Sequence, residues 1–272
     1  MLRTRVFTAL GLLAVLVVVL LSKSAPAVGV VAGVFFAAAA WEALRLFKSP
    51  QAILVTAVWC IAFALIVVQH AFLNAGILML LCVLILVLRL APSLRIGLPA
   101  IDGLGNKLLS GIYGVAILGC FVAILALYAH SPLYLFSVMA IVWIADIGAY
   151  FSGKAFGKRK LAPSISPGKS WEGAIGGWIA VLVLAVVSAR VPALRDTFAV
   201  QLQSDRGWVV LVVVLSLMVA ASVVGDLFES QLKRRAGVKD SSSLLPGHGG
   251  VLDRIDALIP ALPLALLIDI WR

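Results

Sequence analysis

The apolar residues of this 272-residue chain come in blocks rather than at the spacing of an amphipathic helix or strand. A block of about 18 or more apolar residues reads as a helix that crosses a bilayer. Nine such blocks lie near 5–22, 26–44, 51–69, 71–89, 109–129, 132–151, 171–189, 207–229 and 255–271. The last is short and carries Pro260 and Pro263, which predicts a kinked or partly inserted segment. Only 12% of the residues are charged, against about 25% in a soluble domain, so there is too little polar surface to coat a water-soluble globule. The expected fold class is all-α: a polytopic integral membrane bundle of about nine transmembrane helices. Arg3 and Arg5 precede an apolar run that ends near Ala25-Pro26-Ala27, as in a signal peptide. That run is long for such a segment and a second block follows at once, so a retained first span is expected.

The net charge of +10 invites a nucleic-acid partner, but the basic residues sit in short loops between apolar blocks. This is the positive-inside bias of membrane proteins, and no nucleic acid is expected. With the N-terminus in the cytoplasm, 17 of the 22 basic residues fall on the cytoplasmic side. Only Lys23, Arg190, Arg195, Arg206 and Arg272 remain opposite. Cys60, Cys82 and Cys120 each lie inside an apolar block, form no CxxC pair and read as packing residues. Residues 1–130 form an N-terminal set of spans with little polar content. Residues 131–272 form a C-terminal catalytic region with cytoplasmic loops 152–170 and 230–254.

An ionisable side chain at membrane depth is expensive unless it is paired or lines a wet cavity, so it marks a functional site. Asp146, Glu172, Asp226, Glu229, Asp253 and Asp256 all gather around those two loops. Asp146, Tyr150, Lys154 and Lys158 recur every four residues and share one helix face if the helix continues. Ala145, Ala149, Gly153 and Gly157 form a small-residue stripe beside them. Gly173 and Gly177, with Gly176 and Ala180, form another on the next span. Such stripes suit close helix packing and permit a homodimer.

The loop Ser164-Ile165-Ser166-Pro167-Gly168-Lys169-Ser170-Trp171-Glu172-Gly173 contains the tail of a P-loop, Gly168-Lys169-Ser170. It lacks the rest, since Pro163 stands where that motif needs glycine and a membrane helix precedes it in place of a strand. Backbone N–H groups and a cation at a helix start still offer an anion site. The third cluster runs from Gly225-Asp226 through Glu229-Ser230-Gln231-Leu232-Lys233-Arg234 and Lys239-Asp240. It continues through Pro246-Gly247-His248-Gly249-Gly250 to Asp253-Arg254-Ile255-Asp256. On a helix, Asp226, Glu229, Ser230 and Lys233 lie on one face, and a glycine-rich turn can bring Asp253 and Asp256 back to it. Carboxylates from two elements with Lys and Arg nearby suit Mg²⁺ held by a few protein oxygens and completed by substrate phosphates. Interfacial salt bridges with snorkelling lysines are the alternative.

At these residues the chain resembles the phosphatidate cytidylyltransferases, the CDP-diacylglycerol synthases. The resemblance rests on Ser230, Leu232, Lys233-Arg234, Lys239-Asp240, Ser242, Pro246, His248-Gly249-Gly250, Asp253-Arg254 and Asp256. It extends to the segments around Asp146 and Ser166–Gly173, and it covers the N-terminal half only as apolar spans. It implies an enzyme that joins CTP and phosphatidic acid into CDP-diacylglycerol and pyrophosphate at the cytoplasmic face of the inner membrane. By the same resemblance, Asp226 and Asp253 hold the metal, with Asp256 beside them, and one or two Mg²⁺ ions are expected. Lys233, Arg234, Lys239 and Arg254 hold phosphates, helped by Lys169 and Ser170. Asp146 and Glu172 belong to the cavity wall or a second metal, and His248 is a ligand contact or a turn stabiliser. The Asp-Gly-x-x-Ala-Arg pattern of CDP-alcohol phosphotransferases is absent. A cytidylyltransferase for another lipid phosphate stays open. A transporter would place charges at the midplane, within repeats.

Overall fold

The computed structural model describes residues 10, 11, 14, 15, 17–19 and 24–272; the span expected near 5–22 lies largely outside the described residues. Helix α1 (Ala25–Leu46) is followed by α2 (Ala52–Val68) and α3 (Gly76–Ile85), which runs on through a π turn at Leu86–Leu90 to Ile96. Then come α4 (Leu104–His130), α5 (Pro132–Phe156), a hairpin of β1 (Lys160–Ala162) and β2 (Ser166–Ser170), and α6 (Trp171–Ser188). Helix α7 (Phe198–Ala236), the short α8 (Leu252–Ile255) and α9 (Leu258–Ile270) complete the chain. Six of these helices are long and apolar enough to cross a membrane, while α2 and α9 are shorter apolar helices.

Local chemistry sets several boundaries. Ser24, Ser131 and Ser170 cap α1, α5 and α6, each hydroxyl accepting from the N–H three residues on, which satisfies a donor the helix cannot. The π turn of α3 ends two residues before Pro92, whose missing N–H breaks the regular ladder. Helix α7 as a whole begins at Phe198, but it is two helices joined at Gly207, where φ is 79°, so the span expected from near 207 starts at that break.

Burial separates the helices into two kinds. On α2 only Phe63 is buried, and Ile53, Leu54, Val58, Ile61, Leu65 and Val68 all face outward, as lipid-facing side chains do. Helix α9 is the reverse. Leu258, Ile259, Ala261, Leu262 and Ala265 are all buried, and the helix packs against α3, α4, α5 and α7. At 1.5 Å per residue its 13 residues reach about 20 Å, short of the roughly 30 Å of a bilayer core. The segment expected as a short ninth span is thus a short apolar helix held largely inside the bundle. One apolar core runs through residues of both 1–130 and 131–272.

The small-residue stripes of α5 and α6 face each other within the chain. A Cβ at Gly177 would lie 2.3 Å from the Ala145 carbonyl oxygen, and one at Gly173 2.8 Å from that of Ala149. The stripes that permitted a dimer in the sequence are therefore occupied by each other. The connections gather at two ends of the bundle. At one end Asn106 donates to the Phe47 carbonyl (2.9 Å), Gln231 to that of Ser93 (3.0 Å) and Arg235 to that of Pro99 (2.9 Å). At the other, Arg206 donates to the carbonyls of Trp271 and Arg272, and Arg272 pairs with Asp205 at 2.8 Å. The α5–β1 loop, the hairpin and the 237–251 segment all join the first end.

Candidate active site

At that end α5, the hairpin, α6 and α7 enclose a cavity of about 530 Å³. Helix α5 contributes Asp146, Tyr150 and Lys154, the hairpin Ser166, Lys169 and Ser170, and α7 Ser222 and Asp226. The expected stripe on α5 is correct for its first three members. Lys158 departs from it, because α5 ends at Phe156 and Gly157 turns the chain away. Inside the cavity Lys169 forms an ion pair with Asp226, whose other oxygen accepts from Ser230 at 3.3 Å. Asp226 and Lys169 are each about a quarter exposed, so the pair is open to a solute. The loop expected between α5 and α6 contains the two-stranded hairpin, with Lys160 opposite Ser170 and Ala162 opposite Ser166. That pairing carries Lys169 back over α7.

A second charged group adjoins the first along α7. Lys233 Nζ lies 2.5 Å from Glu229 Oε2 and 2.6 Å from Asp253 Oδ1. Glu229 is fully buried, one turn from Lys233. Asp253 Oδ2 accepts from Gly250 N (2.7 Å), Ser241 N (2.9 Å) and Ser241 Oγ (2.9 Å). Burial alone would raise the Asp253 carboxyl. Its bonds to Lys233, Gly250 and Ser241 outweigh burial and hold it below the usual carboxylate range. Asp256 lies within electrostatic reach of both Asp226 and Glu229. The turn between these acids uses Gly247 and Gly249 at φ 75° and 80°, the left-handed region where a side chain is strained.

The remaining expected residues divide by position. Arg234, Lys239 and Arg254 are exposed cations around the two groups. Arg254 is steadied by two bonds to the His248 carbonyl, at 3.1 and 2.8 Å. The buried His248 Nδ1 makes no hydrogen bond among the described residues. Ser170 lines the cavity but also caps α6. Glu172, expected in the cavity wall or at a second metal, instead accepts from the backbone N–H of Lys158 (3.1 Å) and Arg159 (3.2 Å) and pairs with Arg159 Nε at 3.3 Å. It ties down the chain after α5 and is not among the cavity's lining residues.

The family model described as "Cytidylyltransferase family" matches residues 3–270 of the chain. The chain belongs to the cytidylyltransferase family. It is similar to the phosphatidate cytidylyltransferase of Haemophilus influenzae, 51% identical over 167 residues that cover 58% of this chain and 56% of that protein. The protein of the same name from Pseudomonas aeruginosa is 51% identical over 127 residues, covering 47% and 44%. That from Bacillus subtilis is 38% identical over 162 residues, covering 60% and 56%. The chain spans about half the length of the curated relatives it matches.

In this cytidylyltransferase-family chain Glu42 joins the site's surroundings without having been expected from the sequence. Its side chain, in α1, is fully buried and accepts from Ser241, Ser242, Val251 and Leu252. The signal was present: Glu42 is the sole Asp or Glu among residues 1–101 and sits in an apolar span, where an acid marks a site.

Proposed function

We propose that the chain transfers CMP from CTP to phosphatidic acid, giving CDP-diacylglycerol and pyrophosphate for phospholipid synthesis, in a Mg²⁺-dependent reaction. The observation that carries this reading is the cavity holding Asp146, Lys169 and Asp226 beside the Lys233–Asp253 pair, in a member of the cytidylyltransferase family. The names of the similar proteins supply the lipid substrate.

An oxygen of the lipid phosphate attacks the α-phosphorus of CTP, the bond to the β-phosphate oxygen breaks, and pyrophosphate leaves with the electron pair. The attacking oxygen is already anionic at neutral pH, so no general base is required. The protein's task is to align two polyanions and offset their charge. Lys169, Lys233, Arg234, Lys239 and Arg254 supply the positive field, and Ser170 adds a hydroxyl at the cavity wall. His248, whose buried Nδ1 makes no hydrogen bond among the described residues, is a ligand contact or a stabiliser of the glycine-rich turn. The residues fit a hard cation: Asp226 presents carboxylate oxygens in a half-open cavity and Asp253 presents Oδ1 toward its single ammonium partner. Asp226 and Asp253 would hold one Mg²⁺ or two; Asp146 and Asp256 lie within electrostatic reach of Asp226, but no three acids among the described residues come together as a metal cluster. Bound there, Mg²⁺ would offset phosphate charge and supply Lewis-acid polarisation of the phosphoryl oxygens.

Charge supports an orientation. The end with the cavity carries the loops that hold most of the basic residues, which favours a cytoplasmic position for it, where CTP is found. The protein is then a multi-pass inner-membrane enzyme with its N-terminus inside and about nine apolar segments. The acids of the site gather toward the end with the cavity, which favours this reading over a transporter with charges within repeats. The test is mass spectrometry of the lipid formed when purified protein in mixed micelles receives CTP, phosphatidic acid and Mg²⁺. A CDP-diacylglycerol product supports the proposal; unchanged phosphatidic acid with folded protein rejects it.

A further inference from the structure

We propose that Glu42 of α1 is a positioning residue for the reaction, holding the Lys233–Asp253 pair in register from the opposite half of the chain; this rests on the function proposed above. Glu42 Oε1 accepts from Ser242 Oγ at 2.5 Å and Val251 N at 3.1 Å. Its Oε2 accepts from Leu252 N at 2.7 Å and Ser241 Oγ at 3.1 Å. The Ser241 hydroxyl also lies 2.9 Å from Asp253 Oδ2, so one hydroxyl bridges the two carboxylates. A chain of contacts therefore runs Glu42, Ser241, Asp253, Lys233, Glu229, from α1 to α7.

The position of Glu42 is closely defined. A Cβ at Gly250 would come within 2.5 Å of both its oxygens and 2.1 Å of Ser241 Oγ. The glycine is needed here for space. The segment 241–251 is irregular apart from one bridge between Leu245 and Gly249, with Ser243, Leu244, Pro246 and Gly247 exposed, and α8, which carries Asp253, is a four-residue helix too short to fix where Asp253 points by itself. A buried carboxylate with four donors supplies that constraint, and it touches neither the cavity nor the exposed cations. Glu42 acts through Asp253.

The experiment compares wild type, Glu42→Gln, Glu42→Asp, Ser241→Ala and Gly250→Ala as purified full-length proteins. It measures kcat, KM for CTP, fraction folded by gel filtration and hydrogen exchange of residues 241–252. Glu42→Gln turns two acceptor positions into an N–H₂ facing the Val251 N–H, which cannot accept. The expected result is a fall in kcat of at least tenfold per folded molecule with KM for CTP within threefold. Exchange at 241–252 rises, and Glu42→Asp retains more activity than Glu42→Gln. Gly250→Ala and Ser241→Ala, which alter no charge, show the same kcat-dominated loss. Wild-type kcat per folded molecule in Glu42→Gln and Ser241→Ala overturns the role of Glu42. So does a loss that only tracks the unfolded fraction across all four variants. An inactive wild type removes the underlying function instead, and the role with it.

Discussion

The ammonium of Lys233 sits 2.6 Å from Oδ1 of Asp253, joining the end of α7 to the turn before α9. Both side chains are nearly buried, and the same ammonium contacts the fully buried Glu229 at 2.5 Å. Removing the cation leaves two acids uncompensated in a place that water does not reach. Breaking a buried pair in this way typically costs about 3–5 kcal/mol. Lys233→Met should therefore lower the thermal midpoint in detergent well beyond Asp253→Asn, in which Glu229 still pairs with Lys233. Equal shifts in the two variants would contradict the arrangement.

Asp226 is in a different situation. It is partly exposed in the cavity and its loss leaves Lys169 free to be solvated. Asp226→Asn should reduce turnover by roughly 100-fold or more with a midpoint within a degree or two of wild type. Surviving activity within a few-fold of wild type would remove Asp226 from the reacting centre.

The Asp253 carboxyl, depressed by its bonds to Lys233, Gly250 and Ser241 against the effect of burial, is more acidic folded than unfolded. A depressed folded pKa gives stability that is complete above the unfolded value, about 3.9 for Asp, and is lost as pH falls through the folded value. The gap in stability between wild type and Asp253→Asn should be flat from pH 8 to about 5 and should close only below about 4. Thermal melts across that range check it; a gap that closes near neutrality would assign it to another group.

The α5–α6 contact makes a prediction about glycine. A Cβ at Gly177 meets the Ala145 carbonyl at 2.3 Å, while one at Gly111 in α4 meets nothing within 4 Å. Gly177→Ala should cost about 1–3 kcal/mol by overpacking and disturb the cavity those helices enclose. Gly111→Ala should be neutral or stabilising by up to about 1 kcal/mol. The two melts, run side by side, separate packing from helix propensity.

The helices were legible because hydrophobic blocks are a local property: α1 was expected at 26–44 and is found at Ala25–Leu46, α6 at 171–189 and found at Trp171–Ser188. The inward position of α9 was not, since its neighbours α3, α4, α5 and α7 are fixed only by tertiary packing. The hairpin was missed because Ser166-Pro167-Gly168-Lys169-Ser170 has no strand-like alternation; it pairs because two helix ends are brought together. The acids and lysines of the two loops were found by their cost at membrane depth. What they face was not: Glu172 turns to the Lys158 and Arg159 backbone, and Glu42 meets donors 199 to 210 residues away.

Pyrophosphate release by the purified protein with CTP, phosphatidic acid and Mg²⁺, each omitted in turn, beside Asp226→Asn, tests the reaction at this site. Release that requires all three components and is lost in the variant is the expected result. Release independent of phosphatidic acid, or none from well-folded protein, would contradict a phosphatidate cytidylyltransferase reaction at this site.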